Sequence, residues 1–338
     1  MIEPEHWLKP AIHPVYARLL CAELRRRGFS EAEIIAGTHL DWETLHTDNR
    51  FLSLEQMRRL TLHALALSQC PWLGIEVGNL TQLSAHGALG SAVVASSNLV
   101  QALAAVERYA SLRQGVASMR QEQGENLCMV IDEHMMPEEL REYLLGHFVA
   151  SLLRLLETVT GKSLQGEVHI EWPFAEPPWA AMYQHLAVQN SFGNAQLRIH
   201  VTANLINSPS LAADPEAARI ALRECERLLQ KEQQGGSLTQ RVQSRLVHCK
   251  EHYPTLEEMA AEEHVSSRTL IRHLHEEGTM YQQLLDDVRK ELACWLLLQT
   301  ELPVEMVAER LGYGDTSNFS RTFRRWLGVT PREFRTAS

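Results

Sequence analysis

The chain has 338 residues, 45% hydrophobic and 22% charged, and a formal net charge of −10. That length favours two domains, the composition is ordinary for a globular protein, and the lack of any run of eighteen apolar residues argues against a membrane-spanning helix. An acidic balance weighs mildly against a nucleic-acid binder, although binding depends on where the positive charges sit.

The N-terminal stretch "MIEPEHWLKPAIHPVYARLL" lacks a basic start followed by a pure apolar run, so no secretory leader is expected. Residues 1 to about 114 read as mostly helical. "HPVYARLLCAELRRRGF" places Val15, Leu19, Leu20 and Leu24 on one side and stops at Gly28. "SLEQMRRLTLHALALS" and "NLVQALAAVERYASLRQ" repeat the pattern behind capping-type residues, Ser53 and Asn98. The period then changes: "GVASMRQEQGENLCMVID" alternates about a turn centred on Gly124, which predicts a β-hairpin. "PEELREYLLGHFVASLLRLLETVTG" predicts a long helix between Pro137 and Gly161. "GEVHIEW" and "AQLRIHV" predict two more strands, and "DPEAARIALRECERLLQ" a helix with Pro215 near its first position. The fold class expected for this part is α+β, mostly helical with a small antiparallel sheet. The last helix carries Ile220, Leu222, Leu228 and Leu229, an apolar load that suggests dimerisation through it or a neighbour.

"KEQQGGS", Lys231 to Ser237, is polar with two adjacent glycines and reads as a linker. The expected organisation is a first domain over 1–232, a linker over 233–237 and an all-α domain over 238–338. Helices are predicted over 238–249, 255–264, 267–277, 281–299, 303–311, 316–327 and 331–336. Thr255 with Glu258, and Thr330 with Glu333 behind Pro331, fit capping boxes. Such caps stabilise a helix start by about 0.5–2 kcal/mol. One pattern occurs twice, at 255–277 and 303–327: a short helix, a tight turn, and a second helix with polar and basic residues.

That arrangement is a helix-turn-helix, whose second helix can enter the DNA major groove while the first braces it. In "DTSNFSRTFRRWL", Phe319, Phe323 and either Trp326 or Leu327 fall on one inward face. Thr316, Ser317, Ser320 and Arg321 lie off it, with Arg324 one turn further. In "SSRTLIRHLHEEG", Leu270 and Leu274 point inward and leave Ser267, Arg268, Ile271 and Arg272 outside, where Ile271 could meet a thymine methyl. From Ser237 onward there are 13 Lys and Arg against 15 Asp and Glu. From Asp315 onward, five Arg face only Asp315 and Glu333. The intervening helix, nineteen residues at ~1.5 Å each, spans ~28 Å, against about 34 Å for one DNA turn. Two reading helices joined by such a strut could reach successive major-groove faces.

The stretch 237–335 resembles the DNA-binding domain of the AraC/XylS family of bacterial transcription regulators. The resemblance rests on "VAERLGYGDTSNFSRTFRRWLGVTPREFR" and, for the first unit, "SSRTLIRHLHEEGTMYQQLLDDVRKELACWLL". The long signature is highly specific, and His264–Val265 stands where a glycine is often seen in the first turn. The resemblance implies that Arg268, Ile271 and Arg272 in one helix, and Thr316, Ser317 and Arg321 in the other, occupy base-reading positions. It places Arg324 and Thr330 near phosphates. Residues 15–232 look like the ligand-binding and dimerisation module of one subgroup, sometimes labelled arabinose-binding. The stretches that carry this are "THLDWETLHTDNRFLSLEQMRRL", "HGALGSAVVASSNLVQALAAVERYASL" and "FGNAQLRIHVTANLINSPSLAADPE".

Other chemistry has little support in the chain. "HCKEH" puts His248, Cys249 and His252 close together, but with no fourth ligand in view a zinc site is a weak reading. "GALG", Gly87 to Gly90, lacks the Lys-Ser/Thr of a phosphate loop, and no GxSxG, HExxH or kinase signature occurs. Met129, Met135 and Met136 read as core filler. Arg25, Arg26 and Arg27 read as a solvated helix end favoured by the helix dipole. Six scattered cysteines without CxxC fit reduced thiols in the cytoplasm.

The expectation is a cytoplasmic regulator, no enzyme and without a cofactor, most simply an activator. Its partners would be double-stranded promoter DNA, RNA polymerase, a small metabolite bound by the first domain, and a second copy of the chain. Two alternatives stay open. One is a constitutive DNA-binding regulator whose first domain is structural or dimerising. The other is an enzyme targeted to DNA by its helix-turn-helix units, as in alkyl-transfer repair proteins, which need a zinc-held cysteine cluster.

Overall fold

The computed structural model describes residues 7–124, 126–134, 136–249 and 252–336. Met135 therefore lies outside the described residues, as do Lys250 and Glu251 within the His248–His252 stretch. The chain divides into two compact units. One comprises Ala11–Leu52 and Gln56–Gln230; the other comprises Lys231–Ser338 with Ser53–Glu55 and Met1–Pro10, over their described residues.

The first unit begins with α1 (Val15–Arg26), which ends before Gly28 at φ 97°. Then come α2 (Leu54–Ser68), α3 (Leu73–Asn79), α4 (Ala88–Ala95) and α5 (Leu99–Tyr109). Asn98 caps α5 by accepting the Gln101 N–H at 3.0 Å. The expected hairpin is β1 (Ala117–Gln123) and β2 (Leu127–Glu133), antiparallel in a register that pairs Ala117 with Glu133 and Gln123 with Leu127. The long helix α6 (Arg141–Thr160) starts four residues after Pro137, because Glu138–Leu140 forms a 3-10 turn first. It ends at Gly161 in the left-handed conformation. Three strands follow, β3 (Val168–Glu171), β4 (Gln189–Ser191) and β5 (Leu197–Val201), then the helix α7 (Pro215–Gln233).

The sheet order is β1-β2-β5-β3-β4. All neighbours are antiparallel except β3 and β4, which run parallel, so the expected small antiparallel sheet has one parallel edge. Its inner face is apolar, with Met129, Ile131, Val168, Ile170, Ile199 and Val201 all buried. Its outer face carries ion pairs, Arg120 with Asp132 at 3.0 Å and Arg198 with Glu122 at 3.2 Å. Period-2 alternation gives each strand one face of each kind.

Helix α6 crosses the core, with Leu145, Val149, Leu152 and Leu156 buried. It meets α3 almost backbone to backbone. A Cβ on Gly74 would collide with the Tyr143 carbonyl, and one on Gly78 would come within 2.6 Å of Ala150 Cβ and the His147 carbonyl. Glycine is needed there for close approach. The apolar side of α7 faces its own unit: Ala218, Ala221 and Cys225 are buried, and Leu222 and Leu229 pack on the same core. Of the residues that suggested self-association only Ile220 stands out, at 58% exposed.

From Leu238 onward the second unit is helical among its described residues: α8 (Leu238–Val247), α9 (Leu256–Glu262), α10 (Ser267–Glu276), α11 (Tyr281–Gln299), α12 (Val304–Arg310), α13 (Thr316–Leu327) and α14 (Pro331–Thr336). The diglycine after α7 is an ordered turn. Gly235 and Gly236 take φ of 100° and 80°, and the Gly236 N–H bonds the Lys231 carbonyl at 2.9 Å. Ser237 then caps α8 in a reciprocal box with Gln240. Helix α11 is the spine, burying Leu284, Val288, Leu292, Ala293, Cys294 and Leu296.

Candidate nucleic-acid interface

The α9–α10 and α12–α13 pairs are built by the same turn. In the first, the His264 N–H bonds Ala261 O at 3.1 Å and the Val265 N–H bonds Ala260 O at 2.9 Å. In the second, the Gly312 N–H bonds Glu309 O at 2.9 Å and the Tyr313 N–H bonds Ala308 O at 3.0 Å. This is a Schellman-type ending, which puts one residue in the left-handed region. Gly312 adopts φ 75° freely, whereas His264 holds φ 57° with a Cβ in place. The second helices are then capped. Ser266 accepts from the Thr269 N–H at 3.2 Å, and Asp315 from the Asn318 N–H at 2.7 Å. Gly314 makes the second connection one residue longer.

Apolar spacing sets the rotation of each second helix. Leu270 and Leu274 are fully buried on α10, as are Phe319 and Phe323 on α13. Tyr313, Phe319, Phe323 and Phe334 form a chain of ring contacts with centroids 5.3–5.6 Å apart. Trp326 and Leu327 both pack partly against this core, so the inward stripe takes both.

Outward, Arg268, Ile271 and Arg272 on α10, and Ser317, Arg321 and Arg324 on α13, are exposed. Ile271 is 52% exposed, unusual for so large an apolar side chain beside two arginines. Ser267, Thr316, Ser320 and Thr330 are half-buried. Among the described residues Arg268, Arg321 and Arg324 form no ion pair within 4 Å. Arg272 Nη2 lies 3.2 Å from His273 Nε2, and its one carboxylate contact is a long one with Glu276, 3.8 Å, both ends well exposed; such a pair contributes little. Thr330 has a local task, as its hydroxyl accepts the Glu333 N–H while the Glu333 carboxylate accepts the Thr330 N–H at 2.7 Å. Those bonds hold the Glu333 carboxyl below its ordinary pKa.

One residue was missed by sequence reasoning. Arg289 on α11 places its guanidinium 4.6 Å from the Tyr253 ring centre and 5.2 Å from that of Tyr313. Tyr253 precedes α9 and Tyr313 lies in the α12–α13 turn, so one cation ties both helix pairs to the spine. In the sequence it sits within the acidic-looking "LLDDVRKE", and nothing local marks it. Elsewhere in this unit, Cys249 is buried with Arg245 Nη1 at 3.0 Å from its sulfur, and His252 lies 3.3 Å from Glu258.

Residues 28–210 match the family described as the arabinose-binding domain of AraC transcription regulators, N-terminal, and residues 259–337 match a helix-turn-helix domain. The ornithine utilization regulator of Pseudomonas aeruginosa is 32% identical over an alignment that takes in the whole of both chains.

The chain belongs to the AraC family of transcription regulators.

An uncharacterised helix-turn-helix-type transcriptional regulator from Mycobacterium tuberculosis is 28% identical over 95% of this chain and 96% of its own. The crystal structure of the regulator CdpR from Pseudomonas aeruginosa aligns with 95% of this chain and 98% of its own, at 23% identity and a TM-score of 0.47. As an AraC-family member the chain is a DNA-binding transcription regulator. No helix among its described residues is long and apolar enough to cross a membrane.

Proposed function

We propose that this regulator reads promoter DNA through two helix-turn-helix units, 255–277 and 303–327, each presenting its second helix to a major groove. Ser267, Arg268, Ile271 and Arg272 read bases from α10; Thr316, Ser317, Ser320 and Arg321 read them from α13. Arg324 and the start of α14 at Thr330 lie against phosphates. The observation that carries the reading is a set of exposed cations, Arg268, Arg321 and Arg324, with no carboxylate within ion-pair distance among the described residues, on two helices that pack onto one spine. In a protein of net charge −10 such side chains would find carboxylates cheaply; on a DNA-facing surface they are kept for phosphate and guanine.

The first unit binds a small metabolite and signals to the DNA-binding unit, and the chain acts as an activator that contacts RNA polymerase. It works in the cytoplasm as a homodimer. The six cysteines are all buried and form no disulfide among the described residues, which supports a reducing compartment. Sedimentation of the full chain at high micromolar concentration tests the dimer, and a monomer there rejects it.

Arg321→Ala and Arg324→Ala test the interface. A bidentate Arg–guanine contact gives about 1–3 kcal/mol of discrimination, while a phosphate contact adds affinity without sequence information and about 0.9 to the salt slope. Arg321→Ala is expected to lose operator affinity and keep non-specific binding. Arg324→Ala is expected to weaken all duplexes alike. Titration against operator and scrambled duplex at several salt concentrations distinguishes them. Equal losses on both duplexes for Arg321→Ala would leave α13 a phosphate anchor only.

A further inference from the structure

The first unit contains a cavity of ≈ 140 Å³ between α1, α4, α5, α6 and the β1–β2 hairpin. Most of its wall is apolar, with Val93, Val106, Ile131, Phe148, Leu152 and Leu155. Gln114, whose amide is taken up by the Val116 and Ala117 backbone, also lines it; the other polar side chains are concentrated on a few neighbours, Tyr16, His86, Arg113, Tyr143, His147 and Ser151. Among the described residues that line it, none is Asp or Glu.

These polar groups are poorly satisfied by the protein itself. Arg113 Nη2 donates to the Ala85 carbonyl at 2.7 Å, but its Nε has no hydrogen-bond partner within the protein. Nor do the Tyr143 hydroxyl, the Ser151 hydroxyl and either ring nitrogen of His147, which is only 8% exposed. Native proteins leave few buried polar atoms unpaired, and several around one cavity point to a ligand. The rings are clustered: Tyr16 lies 5.5 Å from His147 and 5.9 Å from His86, and Tyr143 lies 6.3 Å from His147.

The electrostatics have one sign. Burial, reinforced by the Arg113 charge, holds His86 down at about 4, and burial holds His147 at about 4. Both imidazoles are therefore neutral at pH 7 and able to donate one hydrogen bond each. Tyr16 is pushed up to about 12 by burial, so its phenol keeps its proton. What remains is a half-buried guanidinium with no carboxylate beside it, ringed by neutral donors. Taking a charge out of water without a counter-charge is unfavourable.

We infer that this cavity binds a small organic monoanion with an apolar body, a short aliphatic or aromatic monocarboxylate, whose carboxylate pairs with Arg113 and accepts hydrogen bonds from the Tyr16, Tyr143 and His147 side. The apolar body fills the volume between Val106, Ile131 and Leu152. A cavity of about 150 Å³ lined by aliphatic and aromatic groups takes up benzene, so benzoate and hexanoate are of the right size. Absence of a wall carboxylate disfavours ligands with an ammonium group, including diamino acids, and the scarcity of polar groups at the far end disfavours sugars. This inference rests on the reading of the first unit as the effector module.

The test uses the full chain in calorimetric titration and thermal-shift assays. The probes are benzoate, hexanoate, their neutral amides, hexylamine, ornithine and arabinose. Each is measured on the wild type, on Arg113→Leu and Arg113→Lys, and on Arg154→Leu, a surface control paired with Glu157 away from the cavity. A charge-assisted hydrogen bond gives about 10–100-fold in affinity. The carboxylates are therefore expected to bind at least tenfold more tightly than their amides. Arg113→Leu is expected to abolish that preference while still binding the amides, and Arg154→Leu to change nothing. If Arg113→Leu fails to fold, the wild-type preference and the Arg113→Lys titration still decide. Amides binding as well as carboxylates, or no binding by either carboxylate, overturns the inference. Binding of ornithine or arabinose in their place would leave an effector module of a different ligand class. An Arg113-dependent carboxylate that leaves operator affinity unchanged would uphold the site and reject the effector reading.

Discussion

Removing the guanidinium of Arg289 should loosen both halves of the DNA-binding unit at once. Arg289 stacks on Tyr253 at 4.6 Å and on Tyr313 at 5.2 Å, both inside the ~6 Å over which a cation feels an aromatic face. Tyr253 is buried and Tyr313 half-buried, so each contact falls between the exposed and desolvated limits, about 1 kcal/mol apiece. The turn also rests on this pair, since a Cβ at Gly312 would sit 3.3 Å from both Arg289 Nη2 and Tyr253 Cδ2. Arg289→Ala should therefore cost about 2 kcal/mol, roughly a 30-fold fall in protection from opening. Hydrogen exchange on the full chain measures this, because amides of α9, α12 and the turn at Gly312 should all exchange faster. Those of α6 serve as an internal control. Arg289→Lys, which keeps the charge but not the plane that faces two rings, should lose part of the protection. On the proposed DNA-reading roles of α10 and α13, operator affinity should fall in parallel, because both helices must then be held together. If protection in α9 and α12 changes less than about threefold, or only one pair responds, the sandwich does not couple them.

Three further outcomes follow from the geometry. His264→Gly relieves a left-handed non-glycine residue, which costs about 1–2 kcal/mol, partly offset by glycine's greater unfolded entropy; a net gain of about 0.5–1 kcal/mol in urea unfolding is expected, and a loss would mean the His264 side chain has a partner role. Gly74→Ala forces a methyl into the Tyr143 carbonyl and should destabilise the first unit by about 1–3 kcal/mol, read as a lower thermal midpoint; an unchanged midpoint would contradict the close α3–α6 crossing. His147 has a folded pKa near 4 against 6.5 unfolded, so its contribution is fully present above pH 6.5 and lost as pH falls towards 4, at most about 3 kcal/mol; His147→Phe should flatten the acid dependence of melting over that window, and an unaltered slope would refute the neutral buried assignment.

The DNA-binding unit was largely legible because its signals are local. Thr255, Ser266, Asp315 and Thr330 each accept the backbone N–H three positions on, a relation that survives in the bare sequence. Apolar spacing likewise placed Phe319 and Phe323 inward, and with them which side of α13 is left to solvent. The first unit was legible in its long helices and in β1, β2, β3 and β5. Strand β4 was not, being three polar residues held by distant partners: Trp172 Nε1 donates to Asn190 Oδ1 at 2.8 Å and the Trp172 N–H to Ser191 O at 2.8 Å. The apolar residues of α7 were visible, but whether Leu222 and Leu229 meet a second chain or their own core is a question of packing, and they meet their own core.

The sequence by itself determined the family, the helix boundaries of the second unit and the exposed faces of α10 and α13, because caps and 3.6-residue periodicity act within a few positions of the chain. Only the tertiary structure decided the cavity and the sandwich. Tyr16, His86, Arg113 and His147 come from four separate segments, and no spacing relates them. Burial turns Tyr16, His86 and His147 into neutral donors around one cation, Arg113, that has no carboxylate beside it among the described lining residues. Arg289, likewise, is one more charge in an acidic stretch until folding sets two aromatic faces against it. Both depend on desolvation, which the chain acquires only when distant segments close around a point.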